Sequence, residues 1–232
     1  HTKLCISMHG TDVFLINKMK IAQRLAKKSI QRADKHHFVS NALQTIVVKQ
    51  YGNTYGDGLV LPMVFGLEDF RQESKTLPET KRILFVGRLM EVKGIDVLIK
   101  AFSLLVKHHP FEDWNLDIVG DGPERDYLTK LSRDKAISHL VNFHGSKQRN
   151  QIKDFYSQAE LFILPSKTTS LGEKEGLGLV VLEAMMAGVP VIGTDCGGIR
   201  ETIVNGRTGI IIPENDVDAL HHAMADLLND PK

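Results

Sequence analysis

At 232 residues the chain is long enough for one large or two modest domains, each with its own core. With 42% hydrophobic and 25% charged residues it has the composition of an ordinary globular protein, which excludes a disordered or fibrous class. The net charge of +1 hides an asymmetry: residues 1–50 hold nine Lys and Arg against Asp12 and Asp34, a net of +7, so the remainder nets −6. A basic amino-terminal part suits anionic lipid or a phosphorylated substrate, or is simply a solvated helix face; no nucleic-acid partner is expected. Cys5 and Cys196 form neither a metal-ligand spacing nor a disulfide framework. That fits a reducing compartment, and a cytoplasmic location is expected.

In chain order, KLCISMHG (3–10) and HHFVS (36–40) read as strands, with helices at about 15–31 and 41–51. Residues 1–61 are therefore expected to be part of an α/β domain. The segment 62–80, with Pro62, Pro78 and a cluster of polar residues, reads as a linker. From 81 to 232 short Val- and Ile-rich runs alternate with helical patterns. The strands are RILFVG (82–87), WNLDIVG (114–120), LVNFHG (140–145), ELFILP (160–165), PVIGT (190–194) and TGIIIP (208–213). Between them VKGIDVLIKAFSLLVKHH, PERDYLTKLSRDKA, QIKDFYSQA and GLGLVVLEAMMA carry apolar residues at helical spacing. Pro123 is expected in the first turn of its helix and Asp216 at the N-cap of the last one. Apolar strands separated by helices predict a doubly wound parallel sheet covered on both faces. The start shows no charged region followed by an apolar core, so no signal peptide is expected in it. The apolar run around Met185 is broken by Glu183, Gly188 and Pro190, which makes a poor membrane span.

Ligands of open parallel sheets sit at the carboxyl ends of the strands. In VGRLMEVKG, Arg88 follows a strand at Gly87 and Lys93 stands where the next helix begins. Two cations so placed serve either as a surface pair or as a phosphate clamp. In SLGEKEGLGLVVLEAMMAGVPVIG, every residue from Gly176 to Gly193 is Gly, Pro or apolar except Glu183. A buried carboxylate needs a cation, hydrogen-bond donors or a ligand, so either an internal salt bridge or a ligand contact is expected there. Gly176 and Gly178 flank Leu177 ahead of the helix, where glycine lets a ligand approach the backbone and the helix start offers free N–H groups. Glu183 is expected about two turns into that helix. His9 ends a strand in SMHGTD, as a structural or a reactive residue. Gly197 and Gly198 enter a turn, plain or ligand-binding. GDGPER has Arg125 where a dinucleotide fingerprint wants glycine, and GLGLVV fails at Val181. Asp216-Val217-Asp218 has a D-x-D spelling but reads as a helix cap. His36-His37, His108-His109 and His221-His222 are neighbours that do not share a face, and no metal site is expected.

Taken together, VGRLMEVKGIDVLIKAF, LDIVGDGPE, VNFHG, AELFILPS, EGLGLVVLEAMMAGVPVIGTDCGGIRE and NGRTGIIIP resemble the family 4 glycosyltransferases, retaining enzymes of GT-B architecture. Their E-x7-E signature matches Glu175 to Glu183. The resemblance implies a Rossmann-like domain that binds a nucleotide-diphosphate sugar without a metal. Arg88 and Lys93 would neutralise the diphosphate. Glu175 and the Leu177–Leu179 amides would reach the donor sugar, Glu183 the ribose, and His9 would face the reacting carbon. Base contacts are expected from backbone near Gly145.

The acceptor implied is a glycan or a lipid-linked glycan at the inner face of a membrane, as in bacterial surface-polysaccharide synthesis. The basic stretch Lys18–Lys35 is expected to meet anionic lipid there. Two departures stand out. Only about sixty residues precede the linker, fewer than a full amino-terminal domain of that family. LPMVFGLEDF also replaces a simple glycine turn, with Val64 and Phe65 in its place. A nucleotide-sugar-binding module without transfer activity and a GT-B-fold epimerase are the alternative readings.

Overall fold

A computed structural model describes residues 3–17, 20–52, 58–64, 66–72, 81–108 and 113–229. Among them the first three strands, β1 (Cys5–Met8), β2 (Lys35–Phe38) and β3 (Leu59–Val60), form a parallel sheet in the order β1-β2-β3. β3 was not expected, because two residues are too few to show a period. Where one helix was expected at 15–31, the chain forms α1 (Thr11–Asn17) and α2 (Lys20–Arg32). α1 starts early because the Asp12 carboxylate accepts from the Gly10 amide at 2.8 Å, fixing the turn after β1. α3 (Asn41–Tyr51) follows, with Ser40 accepting from the Leu43 amide as its N-cap. Met8, Ile30, Phe38, Leu43 and Val47 form a small core with Leu177, which comes from the second sheet's region.

The second sheet holds β4 (Lys81–Val86), β5 (Trp114–Val119), β6 (Val141–Gly145), β7 (Leu161–Leu164), β8 (Val191–Thr194) and β9 (Ile210–Ile212). All are parallel, in the order β6-β5-β4-β7-β8-β9. The intervening helices are α4 (Ile95–His108), α5 (Arg125–Asp134), α6 (Arg149–Gln158), α7 (Leu179–Met186) and α8 (Val217–Asn229). Parallel crossovers are right-handed, and β4 to β5 steps one way across the sheet while β7 to β8 steps the other. α4 and α7 therefore cover opposite faces, which is why all four residues of β7 are fully buried. This is the expected doubly wound α/β arrangement.

Asp216 caps α8 by accepting from the Ala219 amide at 2.8 Å. Pro123 lies in the turn before α5 rather than in its first turn, because the helix begins only at Arg125. The order of the strands reverses between β4 and β7. Loops leaving those two strands diverge, and a crevice opens at their carboxyl ends.

Part of the segment expected as a linker is built into this second body. Leu67–Phe70 form a 3-10 turn, and Phe70 is 2% exposed, edge-on to Tyr156 at 5.5 Å between ring centroids. The turn begins at Gly66, left-handed at φ 65°, so a glycine turn is present two residues beyond Val64. Residues 73–80 of the expected linker lie outside the described residues. No helix among those described is long and apolar enough to cross a membrane.

Candidate functional site at the strand crossover

A cleft of about 370 Å³ lies at the crevice, between the loops after β4 and β7 and the loop after β1. Arg88 leaves the end of β4 directly after Gly87 and is exposed along the cleft wall. Its guanidinium pairs with no carboxylate among the described residues. Lys93 closes the 3-10 turn Glu91–Lys93 ahead of α4 and also lines the cleft. The Lys167 amide donates to the Val92 carbonyl at 2.8 Å, which ties this turn to the loop after β7.

Glu175 comes from that second loop. Its Oε2 meets Lys93 Nζ at 2.5 Å and accepts from Ser166 Oγ at 3.0 Å. The two side chains are 12% and 18% exposed, so their attraction is little screened by water. Burial alone would push the Glu175 pKa up. The Lys93 charge, with hydrogen bonds from Lys93, Ser166 and the Gly176 amide, outweighs it and holds the carboxyl below the ordinary range. The cation expected at the diphosphate and the carboxylate expected at the sugar thus sit against each other.

Leu177, Gly178 and Leu179 continue along the cleft into the start of α7. Gly176 also lines the cleft, and packing gives it a further reason to be glycine: a Cβ there would lie 2.5 Å from the His9 carbonyl oxygen. Gly198 is likewise required, since its Cβ would lie 2.2 Å from the Gly176 carbonyl oxygen. Gly197 and Gly198 therefore serve a close backbone crossing, the 3-10 turn Gly197–Glu201 packing under the Glu175 loop.

The amino-terminal sheet supplies the facing wall. His9 directly follows β1 and lines the cleft with Phe14, Val39 and Met63. Asp12 accepts from the His9 amide at 3.2 Å. Ser40 Oγ donates to the Gly176 carbonyl at 2.7 Å. The Glu201 carboxylate accepts from the Asn41 and Ala42 amides at 2.9 and 2.8 Å, at the N-terminus of α3.

Glu183 and the remaining candidates are placed differently. α7 begins at Leu179, so Glu183 is a little over one turn into it, not two. It is not among the residues that line the cleft. Its Oε2 accepts from Tyr156 Oη at 3.2 Å, and Arg149 Nη1 stands 3.6 Å from Oε1. Of the two expected partners, the internal cation is therefore present. Burial raises the Glu183 pKa, and the Tyr156 hydrogen bond and Arg149 charge offset this only in part. Tyr156 is pushed well above its ordinary value by its own burial and by the Glu183 charge. Arg149 also donates to the Gly66 carbonyl at 2.6 Å and lies over the Phe70 ring, joining Glu183 to the 67–70 turn. Gly145 ends β6 at the sheet edge, where its carbonyl accepts from the Gly120 amide at 2.9 Å, outside the cleft. Among the described residues no group of three or more His, Cys, Asp or Glu is arranged to hold a metal ion.

Ser166, Tyr156, Arg149, Ser40 and Glu201 were not singled out in the sequence. Ser166 follows the strand ELFILP directly, so the strand-end rule pointed at it. The other four act across helices that only the tertiary fold brings together.

A family model described as "Glycosyl transferases group 1" matches residues 67–232. The chain is 35% identical, over 99% of its length and 61% of the relative's, to a GDP-mannose-dependent alpha-(1-6)-phosphatidylinositol monomannoside mannosyltransferase of Mycobacterium tuberculosis. It is 30% identical to an N-acetyl-alpha-D-glucosaminyl L-malate synthase of Bacillus anthracis, over 98% of this chain and 59% of that protein. The chain thus spans less than two thirds of the length of these curated relatives. Among solved structures, Anabaena HepE in complex with UDP and glucose superposes with a TM-score of 0.82 at 21% identity, covering 99% of this chain and 62% of that one. Sucrose-phosphate synthase from Thermosynechococcus elongatus does so at 0.79 and 23%, covering 98% and 59%. These likenesses establish the GT-B fold, and the match over 67–232, together with the full-length identity, makes the chain a member of the group 1 glycosyl transferase family.

Proposed function

We propose that this chain carries the donor site, and part of the acceptor side, of a hexosyltransferase that uses a nucleoside-diphosphate sugar and retains configuration without a metal. The observation that carries this reading is the cleft wall of Arg88, Lys93 and Glu175 beside the start of α7. Breaking the sugar–phosphate bond leaves negative charge on the diphosphate and positive charge on the sugar ring. Arg88 and Lys93 stabilise the first, aided by the free N–H groups of the α7 terminus. Glu175 and the Leu177–Leu179 amides hold the sugar, with His9 opposite, and Glu183 takes the ribose by exchanging its Arg149 contact for hydroxyl donors. Gly87 supports Arg88 from behind, and Gly145 serves the base. No side chain is assigned as a covalent nucleophile; the acceptor attacks from the face that the diphosphate leaves.

The acceptor is a glycan or lipid-linked glycan, a reading supported by the phosphatidylinositol mannoside named for one relative. A place at the cytoplasmic face of a membrane, held by the basic helix α2, completes it. Thermal-shift screening with UDP-, GDP- and ADP-sugars, with and without EDTA, tests the donor site. Stabilisation that survives EDTA and is lost in Lys93→Ala and Glu183→Ala is expected. Stabilisation by NAD alone, or loss of the effect in EDTA, overturns the reading.

A further inference from the structure

An imidazole on a loop presents either ring nitrogen unless its neighbours choose one. His9 has such neighbours. Its Nε2 lies 2.9 Å from Ser7 Oγ, and the same oxygen lies 2.6 Å from His37 Nδ1. His37 Nε2 lies 2.6 Å from the Leu61 carbonyl oxygen. The rings of His9 and His37 stand edge to face, 76° apart, so the hydroxyl bridges them at a corner.

The direction of every hydrogen in this chain follows from its last member. A carbonyl oxygen only accepts, so His37 Nε2 carries the hydrogen. In a neutral imidazole Nδ1 is then the acceptor, and Ser7 must spend its one hydroxyl hydrogen on it. Ser7 has none left for His9 and accepts from His9 Nε2–H. His9 is thereby set as the Nε2–H tautomer, with its lone pair at Nδ1. Only an imidazolium at His37, donating from both nitrogens, would reverse the order. The members of the chain before His9 are anchored in the first sheet or against it. Leu61 N–H donates to the Phe38 carbonyl at 2.9 Å, and Ser7 and His37 face each other in the parallel register of β1 and β2.

We propose that Ser7 and His37 are positioning residues that fix the tautomer and ring orientation of His9, so that it meets its substrate as a hydrogen-bond acceptor at Nδ1. The proposal rests on the reading of the cleft as a glycosyl-transfer site with His9 facing the sugar. The tautomer itself can be measured without any substrate. Ser7 is exposed, so water replaces its hydroxyl when it is removed, and orientation rather than stability is lost.

The test is nitrogen NMR of the imidazole rings in this chain, at a pH where the same spectra show both rings neutral, on wild type, Ser7→Ala, Ser7→Thr and His37→Phe. A single Nε2–H tautomer of His9 is expected in wild type and Ser7→Thr, and a mixture in Ser7→Ala and His37→Phe. A His9 carrying its hydrogen on Nδ1, or mixed in wild type, overturns the relay whatever the protein's activity. In transfer assays Ser7→Ala should lower kcat roughly tenfold or more with donor KM and Tm unchanged, and Ser7→Thr should restore it. A wild-type kcat in Ser7→Ala alongside a strongly impaired His9→Ala would show that the orientation is not used. If His9→Ala itself keeps full kcat while the NMR result stands, the role given to His9 is what fails, and the positioning role falls with it.

Discussion

Glu175 and Glu183 stand on one loop-to-helix segment, yet their surroundings push them in opposite directions. Glu175 has Lys93 and two further donors and is held ionised, below the ordinary range. Its stabilising contribution is present above the unfolded carboxylate pKa and is lost as pH falls through the lowered folded value. Glu183 is held above the ordinary range, because burial exceeds what Tyr156 and Arg149 return. The sign is then reversed: its favourable contribution exists below the unfolded carboxylate value and is lost as pH rises through the raised folded value. Glu183→Gln should therefore raise Tm at neutral pH by about 2 °C while removing the protection given by a nucleotide sugar. The gain should shrink toward zero as the melt is repeated at lower pH. Scanning fluorimetry between mildly acid and neutral pH reads both effects; a Tm that falls, or a gap that is the same at every pH, contradicts the assignment. The isolation of Glu183 in an apolar run was plain from the sequence. Its partners were not, because they come from α6.

At the scale of elements, the two sheets are joined through the ends of their helices. Ser40 caps α3 from within, and Glu201, from the turn after β8, caps it from without. A carboxylate on two first-turn amides is favoured both as a hydrogen-bond acceptor and by the helix dipole. Glu201→Ala should cost on the order of 1–2 kcal/mol in urea unfolding. It should also speed hydrogen exchange at Asn41 and Ala42 while leaving the amides of β7 protected. Exchange that quickens equally in β7 would mean a general loss of stability instead. The strands of the second sheet were legible because burial on both faces demands continuous Val, Ile and Leu. The early start of α1 at Thr11 was not, because it depends on an Asp12 contact with the turn behind it.

For the molecule as a whole, charge and exposure coincide on α2. Ile21 and Leu25, one turn apart, are 72% and 60% exposed, and Lys20, Arg24, Lys27 and Lys28 stand among them. Exposed apolar residues flanked by cations suit a surface that is both anionic and oily. Replacing the four cations by Gln should weaken binding to phosphatidylserine vesicles on the order of a hundredfold or more at low salt, with no change toward neutral-lipid vesicles. Cosedimentation measures this, and unaltered pelleting of the variant removes the membrane role. The charge asymmetry that prompted the idea was visible in composition. The exposure of Ile21 and Leu25 was not, since an apolar residue at helical spacing usually reads as core.

Local periodicity in the sequence settled the alternation of strands and helices from residue 81 onward and the doubly wound class. The sequence also marked Arg88, Lys93, Glu175 and His9 as neighbours in one region. Their contacts emerged with the fold: Lys93 against Glu175, Glu183 between Tyr156 and Arg149, and His9 at the end of a hydrogen-bonded chain from Leu61. Such pairings are settled by distances of a few ångströms between segments far apart in the chain, and one-dimensional spacing carries no measure of them.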